Sequence, residues 1–159
     1  MEQTKKKKGH YNQGHYKVKN IKKYAGDYQK CVYRSGWEKK VFKYFDNNKD
    51  VVKWCSEPFA IPYLSPKDNK IHRYFPDIIV ATKTKNGIIT TLIEIKPLIQ
   101  TLPPIMTRNK KQERIILEQQ TYDINQAKWE AARALCLKKK WKFKIMTEQH
   151  INPNNKPKR

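Results

Sequence analysis

A chain of 159 residues is long enough for one domain with a real core and short for several. Lys and Arg number 35 against 14 Asp and Glu, a formal charge of +21, so a polyanionic partner is expected, nucleic acid ahead of an acidic membrane surface. No long apolar run or lipidation signal supports a membrane partner, the opening Met-Glu-Gln-Thr-Lys-Lys-Lys-Lys does not read as a secretory signal, and Cys31, Cys55 and Cys136 lack CxxC or Cys/His spacing, which leaves reduced structural thiols in a cytosolic protein.

Taken in order, residues 1–32 read as a basic, flexible N-terminal arm in which Gly9, Gly14 and Gly26 alternate with Tyr11, Tyr16, Tyr24 and Tyr28. Such an arm builds no core alone. Lys5, Lys6, Lys7 and Lys8 suit phosphate neutralisation, and the tyrosines suit stacking on exposed bases or docking on a partner; a solvated tail is an equal reading. His10 and His15 are not assigned as metal ligands. A domain is expected over 33–149, followed by a polar tail at 150–159.

The first helix is predicted to begin near Ser35, three residues before Glu38 in capping-box spacing. Trp37, Val41, Tyr44 and Phe45 form its apolar stripe, and Asp46-Asn47-Asn48 ends it. Glu38 lies at the margin of that stripe, where capping its own helix is a sufficient role. Val51–Cys55 and Glu57–Tyr63 are strand candidates, the second irregular or at an edge because of Pro58 and Pro62, before a turn at Ser65-Pro66-Lys67-Asp68-Asn69.

Asp77–Thr82 and Ile88–Lys96 are rich in Ile, Val and Thr and flank the turn signal Asn86-Gly87, which predicts a β-hairpin. The period of two puts Leu92, Glu94 and Lys96 on one face of the second strand, with Ile93 and Ile95 on the other. An acid and a base on an apolar strand are costly unless paired or bound to something. Asp77, opening the partner strand, can meet Glu94 across the hairpin, a metal site in outline. Beyond Pro97 comes a polar connection, then a short helix over 112–120 and a separate one over 122–139 with Ile124, Ala127, Ala131, Ala134 and Leu135 on one face. Trp141–Met146 alternates as a last strand. The order predicts an α/β fold, a mixed central sheet flanked by helices.

Pro76-Asp77, Glu94-Ile95-Lys96 and Glu38 on the first helix resemble the PD-(D/E)XK (restriction-endonuclease-like) nuclease superfamily. Over about residues 33–149 the chain looks more closely like TnsA-type transposon end-cleaving endonucleases, through Ser56-Glu57-Pro58, His72-Arg73-Tyr74-Phe75-Pro76-Asp77, Ile93-Glu94-Ile95-Lys96 and Lys144-Ile145-Met146-Thr147-Glu148. Size and the basic arm fit one branch of that group, the small head completion nucleases of T-even-type tailed phages. The resemblance implies a metal-dependent endodeoxyribonuclease. Asp77, Glu94, the Ile95 carbonyl and Glu38 would hold one or two Mg²⁺ ions (Mn²⁺ as substitute), and Lys96 would orient water or offset transition-state charge. The products would carry a 5′-phosphate and a 3′-hydroxyl.

His72, Arg73 and, more weakly, Lys128 are implied as DNA contacts. The implied partners are double-stranded DNA and phage portal and neck proteins, with no membrane, and the implied locations are the virion neck and the host cytoplasm during assembly. A non-catalytic DNA-binding plug of the neck, or a transposition or repair nuclease working with another subunit, are the alternatives.

Overall fold

In the computed structural model, which describes residues 12–154, two short strands, β1 (Gly14–His15) and β2 (Val32–Tyr33), pair antiparallel ahead of the first long helix, α1 (Gly36–Asn47). Then follow β3 (Val51–Ser56), β4 (Ile61–Ser65), β5 (Lys70–Tyr74), β6 (Ile78–Thr84), β7 (Gly87–Ile95), α2 (Gln112–Lys139), β8 (Lys142–Met146) and a terminal turn of helix, α3 (Glu148–Ile151). The central sheet runs β3-β6-β7-β8: the first two pairings are antiparallel, and β7 and β8, joined through α2, are parallel. The chain is a mixed α/β fold. Strands β4 and β5 form a separate hairpin.

The sheet is covered on both faces. Ile78, Val80, Ile93 and Ile95 face α1 and the stretch before it, in a core with Val41, Phe42, Phe45, Trp54, Val18, Tyr24 and Cys31. Leu92 and Ile79 face α2, where Trp129, Ala132 and Cys136 meet Phe143, Ile145 and the inner side of the β4–β5 hairpin. The sequence reading buried only one side of β7; Leu92 through Ile95 are in fact buried without interruption. Interior strands covered by helices on both faces lose polar–apolar alternation for this reason.

Ser35 caps α1 as predicted, its Oγ accepting from the Glu38 N–H at 3.1 Å, while the Glu38 carboxylate accepts from the Arg34 N–H at 2.8 Å. Tyr44 is solvent-exposed and Phe42 takes its expected place in the core. The hairpin turn falls as read, with Gly87 at φ +118°, a conformation open to glycine and costly for other residues. Strand β4 starts later than predicted because Glu57 takes φ +43° and Pro58 follows it, and β5 had no forecast at all. The two helices expected over 112–120 and 122–139 are one. No glycine or proline interrupts them, Thr121 Oγ1 donates back to the Leu117 carbonyl, and Arg114–Glu118 and Gln119–Asp123 pairs link successive turns. Its buried line is Asn125, Trp129, Ala132 and Cys136, and Ala134 is exposed. Among the described residues no helix is long and apolar enough to cross a membrane.

Residues 16–20 are held down by a buried acid. Asp46, read from sequence as a helix terminator, is fully buried and accepts from the Tyr16 hydroxyl at 3.0 Å and the N–H groups of Lys19 and Asn20 at 2.7 and 2.9 Å. Tyr16 and Tyr24 pack against Trp54, so neither is free to stack on a base; Tyr28 remains exposed. Removing the acceptor strands three donors, so Asp46→Ala is expected to cost about 3 kcal/mol and to lower the melting temperature by roughly 6–12 °C, read by calorimetry. An unchanged melting point would show that the segment is held by its apolar contacts alone.

Candidate active site

The site lies where β6 begins and β7 ends. Ile78 pairs with Ile93, and continuing that register one step sets Asp77 opposite Glu94. The fold fixes both acids through the backbone. Asp77 Oδ2 accepts from the Ile95 N–H at 2.6 Å, and its carbonyl accepts from the Glu57 N–H at 2.9 Å. The parallel neighbour β8 fixes the end of β7, through Glu94 opposite Ile145 and the Lys96 N–H on the Met146 carbonyl.

Glu94 is 4% exposed. Its Oε2 accepts from the Tyr74 hydroxyl at 2.6 Å and its Oε1 lies 3.3 Å from Lys96 Nζ. Sequence reasoning quoted Tyr74 within a motif and gave it no role, because nothing local reveals a partner twenty residues away. Burial and the adjacent Glu94 carboxylate push the Tyr74 phenol far above its ordinary value, so it stays protonated and donates. Burial and the Glu94 charge also push the Asp77 carboxyl well above its ordinary value, with the Ile95 N–H and Lys96 opposing.

Three cations surround the acids. Lys96 is on the strand. Lys128 comes from α2, half-buried, with its ammonium 5.7 and 5.9 Å from the rings of Tyr63 and Tyr74; burial and then the nearby Lys96 push it below its ordinary value. The third, Arg34, was not anticipated. Its guanidinium donates to both oxygens of Glu57 at 2.7 and 3.3 Å.

Glu38 is close enough to raise Asp77 further, yet its own oxygens are engaged by the Arg34 N–H and the Ser35 hydroxyl; burial pushes its carboxyl up. Among the described residues no three His, Cys, Asp or Glu side chains gather into a metal-binding group. His72 and Arg73 sit on β5, and neither hydrogen-bonds or ion-pairs with Asp77 or Glu94 among the described residues. His72 Nε2 pairs with Asp68 at 2.9 Å, and Arg73 lies over the Phe75 ring at 5.2 Å. Lys5, Lys6, Lys7 and Lys8 lie outside the described residues.

The donor set suits a hard divalent cation. Of the two recessed carboxylates Glu94 pairs with the strand-borne Lys96 ammonium, Asp77 Oδ1 accepts no hydrogen bond among the described residues, and the Ile95 carbonyl is adjacent in the chain. One or two carboxylates with water completing the shell is the usual environment of Mg²⁺. Such a site can polarise a phosphate and support attack by water.

Residues 48–148 match the family described as TnsA-like endonuclease N terminal, a span that contains Tyr74, Asp77, Glu94, Lys96 and Lys128 and omits Arg34 and Glu38. The chain is also similar to a protein named Head completion nuclease from Enterobacteria phage T4, 38% identical over 141 residues that cover 87% of this chain and 92% of that one.

The raised Asp77 has a thermodynamic signature. Its protonated form is favoured by the fold, so the penalty of ionising it is absent below the unfolded-state value of 3.8 and reaches full size above the raised folded-state value. In EDTA at pH 8, Asp77→Asn, which keeps an oxygen for the Ile95 N–H, is expected to raise the melting temperature by about 2–6 °C, and the gain should shrink towards pH 4. Equal melting points at every pH would show that Asp77 carries no such penalty.

Proposed function

This chain belongs to the TnsA-like endonuclease family, and from that premise we propose that it is a divalent-metal-dependent DNA endonuclease acting in phage head completion. The observation that carries the reading is the set of Asp77, Glu94 and Lys96 within one strand-end cluster, with Glu94 tied to both Tyr74 and Lys96. A protein that only plugged a DNA exit by charge would gain nothing from two acids pressed together at a stability cost.

Asp77, Glu94 and the Ile95 carbonyl would hold Mg²⁺, with Mn²⁺ as a substitute, and Glu38 would reach it through intervening water because its oxygens are already engaged. When bound, the ion supplies Lewis acidity to the scissile phosphate and lowers the pKa of the attacking water. Lys96, held by Glu94, orients that water or offsets charge developing on the phosphate oxygens. Lys128 adds a second positive charge from α2, and Tyr74 keeps Glu94 aimed. His72 and Arg73, with Lys5, Lys6, Lys7 and Lys8, serve as backbone phosphate contacts that set position rather than sequence.

The likeness to a head completion nuclease of phage T4 supports a role in head completion. Our reading puts that role on packaged DNA at the portal and neck, with the protein in the host cytoplasm during assembly and in the virion neck afterwards. The catalytic domain we propose is wider than the expected 33–149, because Val18, Tyr24 and Cys31 belong to its core and Gly14–His15 pairs with Val32–Tyr33.

The test is cleavage of supercoiled plasmid by the purified chain at low salt. Mg²⁺ should give nicked or linear product, EDTA none, and Asp77→Ala, Glu94→Ala and Lys96→Ala should each lower the rate by about a hundredfold or more while gel-shift binding survives. Cleavage by the Asp77 and Glu94 variants at the parental rate would remove the site assignment; binding without cleavage under any divalent metal would turn the reading to a DNA-holding plug.

A further inference from the structure

The β4–β5 hairpin has two different sides. Its inner side, Ile61, Tyr63 and Tyr74, is buried against α2 and fixes the hairpin to the domain. Its outer side has no cover among the described residues. Leu64 and Ile71, direct cross-strand partners, are 56% and 69% exposed, and Pro62 pairs with Arg73 beside them. Phe75, 46% exposed, continues this band beneath the Arg73 guanidinium.

Cations frame the band. Lys67 and Lys70 are exposed at the tip and Arg73 flanks it, while the single acid from Pro62 to Phe75, Asp68, is already engaged by His72. The chain then passes directly from this band through Pro76 to Asp77.

We propose that the hairpin seats in a groove of duplex DNA beside the cleavage point, with Leu64 and Ile71 against sugars and base edges and Lys67, Lys70 and Arg73 on the flanking phosphates. The proposal rests on the nuclease reading and assigns the element by which that site engages duplex. A two-stranded ribbon fits a major groove about 12 Å wide, and five extended residues reach along it for roughly 17 Å. Charge complementarity favours nucleic acid over a protein partner for this band, since apolar side chains ringed by cations match a polyanion with an apolar groove floor. Duplex is favoured over single strand because a single-strand platform needs several exposed rings, whereas Tyr63 and Tyr74 are buried and Phe75, with Arg73 over one face, is the one exposed ring on this hairpin band.

The experiment measures binding of the full chain to a fluorescein-labelled duplex, and to one of its strands, by anisotropy across a salt series in EDTA. Lys67→Ala/Lys70→Ala is expected to weaken duplex binding at least fivefold and to reduce the slope of log K against log salt by about two. Leu64→Ser/Ile71→Ser is expected to weaken it about threefold or more with the slope unchanged and single-strand binding unaltered. Lys83→Ala/Lys85→Ala, at the far end of β6, serves as the control and should change nothing. All six residues lie on the surface, and unchanged melting curves will show that each variant is folded.

Hairpin variants that bind duplex like the parent would overturn the proposal and leave the nuclease reading intact. The same holds if they keep duplex affinity but lose association with portal-bearing phage heads, which would make the hairpin a protein-docking surface. A parent chain that neither binds DNA nor nicks plasmid in Mg²⁺ would instead remove the nuclease reading itself.

Discussion

Two carboxylates, Asp77 and Glu94, are held side by side at the end of an interior strand, and the rest of the structure is arranged around that repulsion. Placing two acids where water is scarce favours protonation of one of them unless positive charge arrives. The fold supplies part of the compensation through the Ile95 N–H, the Tyr74 hydroxyl and Lys96. The balance is left open on Asp77, and a divalent cation is the simplest group that closes it. On the proposed reading the site is unfavourable when empty and favourable once it holds a cation, a trade of stability for function.

That expense requires a rigid surround. The sheet is buried on both faces, so β7 cannot shift without disturbing two cores at once. Strand β8 locks the end of β7 in parallel register, and α2 brings Lys128 to the same edge over the rings of Tyr63 and Tyr74. Helix α1 presents Glu38, whose N–H donates to the Ser35 cap, within electrostatic reach of Asp77. Asp46 performs the matching task for residues 16–20, using one buried acid to order backbone donors that have no strand partner. The hairpin is bound to this frame on its inner side only, which leaves its outer band available to a substrate that approaches Asp77.

The parts legible in the sequence were those whose causes are local. The β6–β7 hairpin declared itself through β-branched runs around Asn86-Gly87, and the start of α1 through Ser35 and Glu38. Asp77, Glu94 and Lys96 could be placed together because strand periodicity and hairpin register are short-range rules. Strand β5 escaped because four of its five residues are exposed and show no alternation. The single long α2 was divided because Thr121 and its polar neighbours gave no apolar stripe across the join, although nothing there breaks a helix. Tyr74 on Glu94, Arg34 on Glu57 and Asp46 under residues 16–20 are contacts between distant positions, and no pattern in the chain announces them.

The central claim is that the Asp77–Glu94 pair exists to hold a divalent cation. The most direct measurement is an anomalous difference map from crystals of the protein grown or soaked with Mn²⁺. The account predicts a peak bound to carboxylate oxygens of both Asp77 and Glu94, at coordination distances of about 2–2.5 Å. Crystals in which Mn²⁺ occupies other positions while these two carboxylates stay free of metal would contradict it.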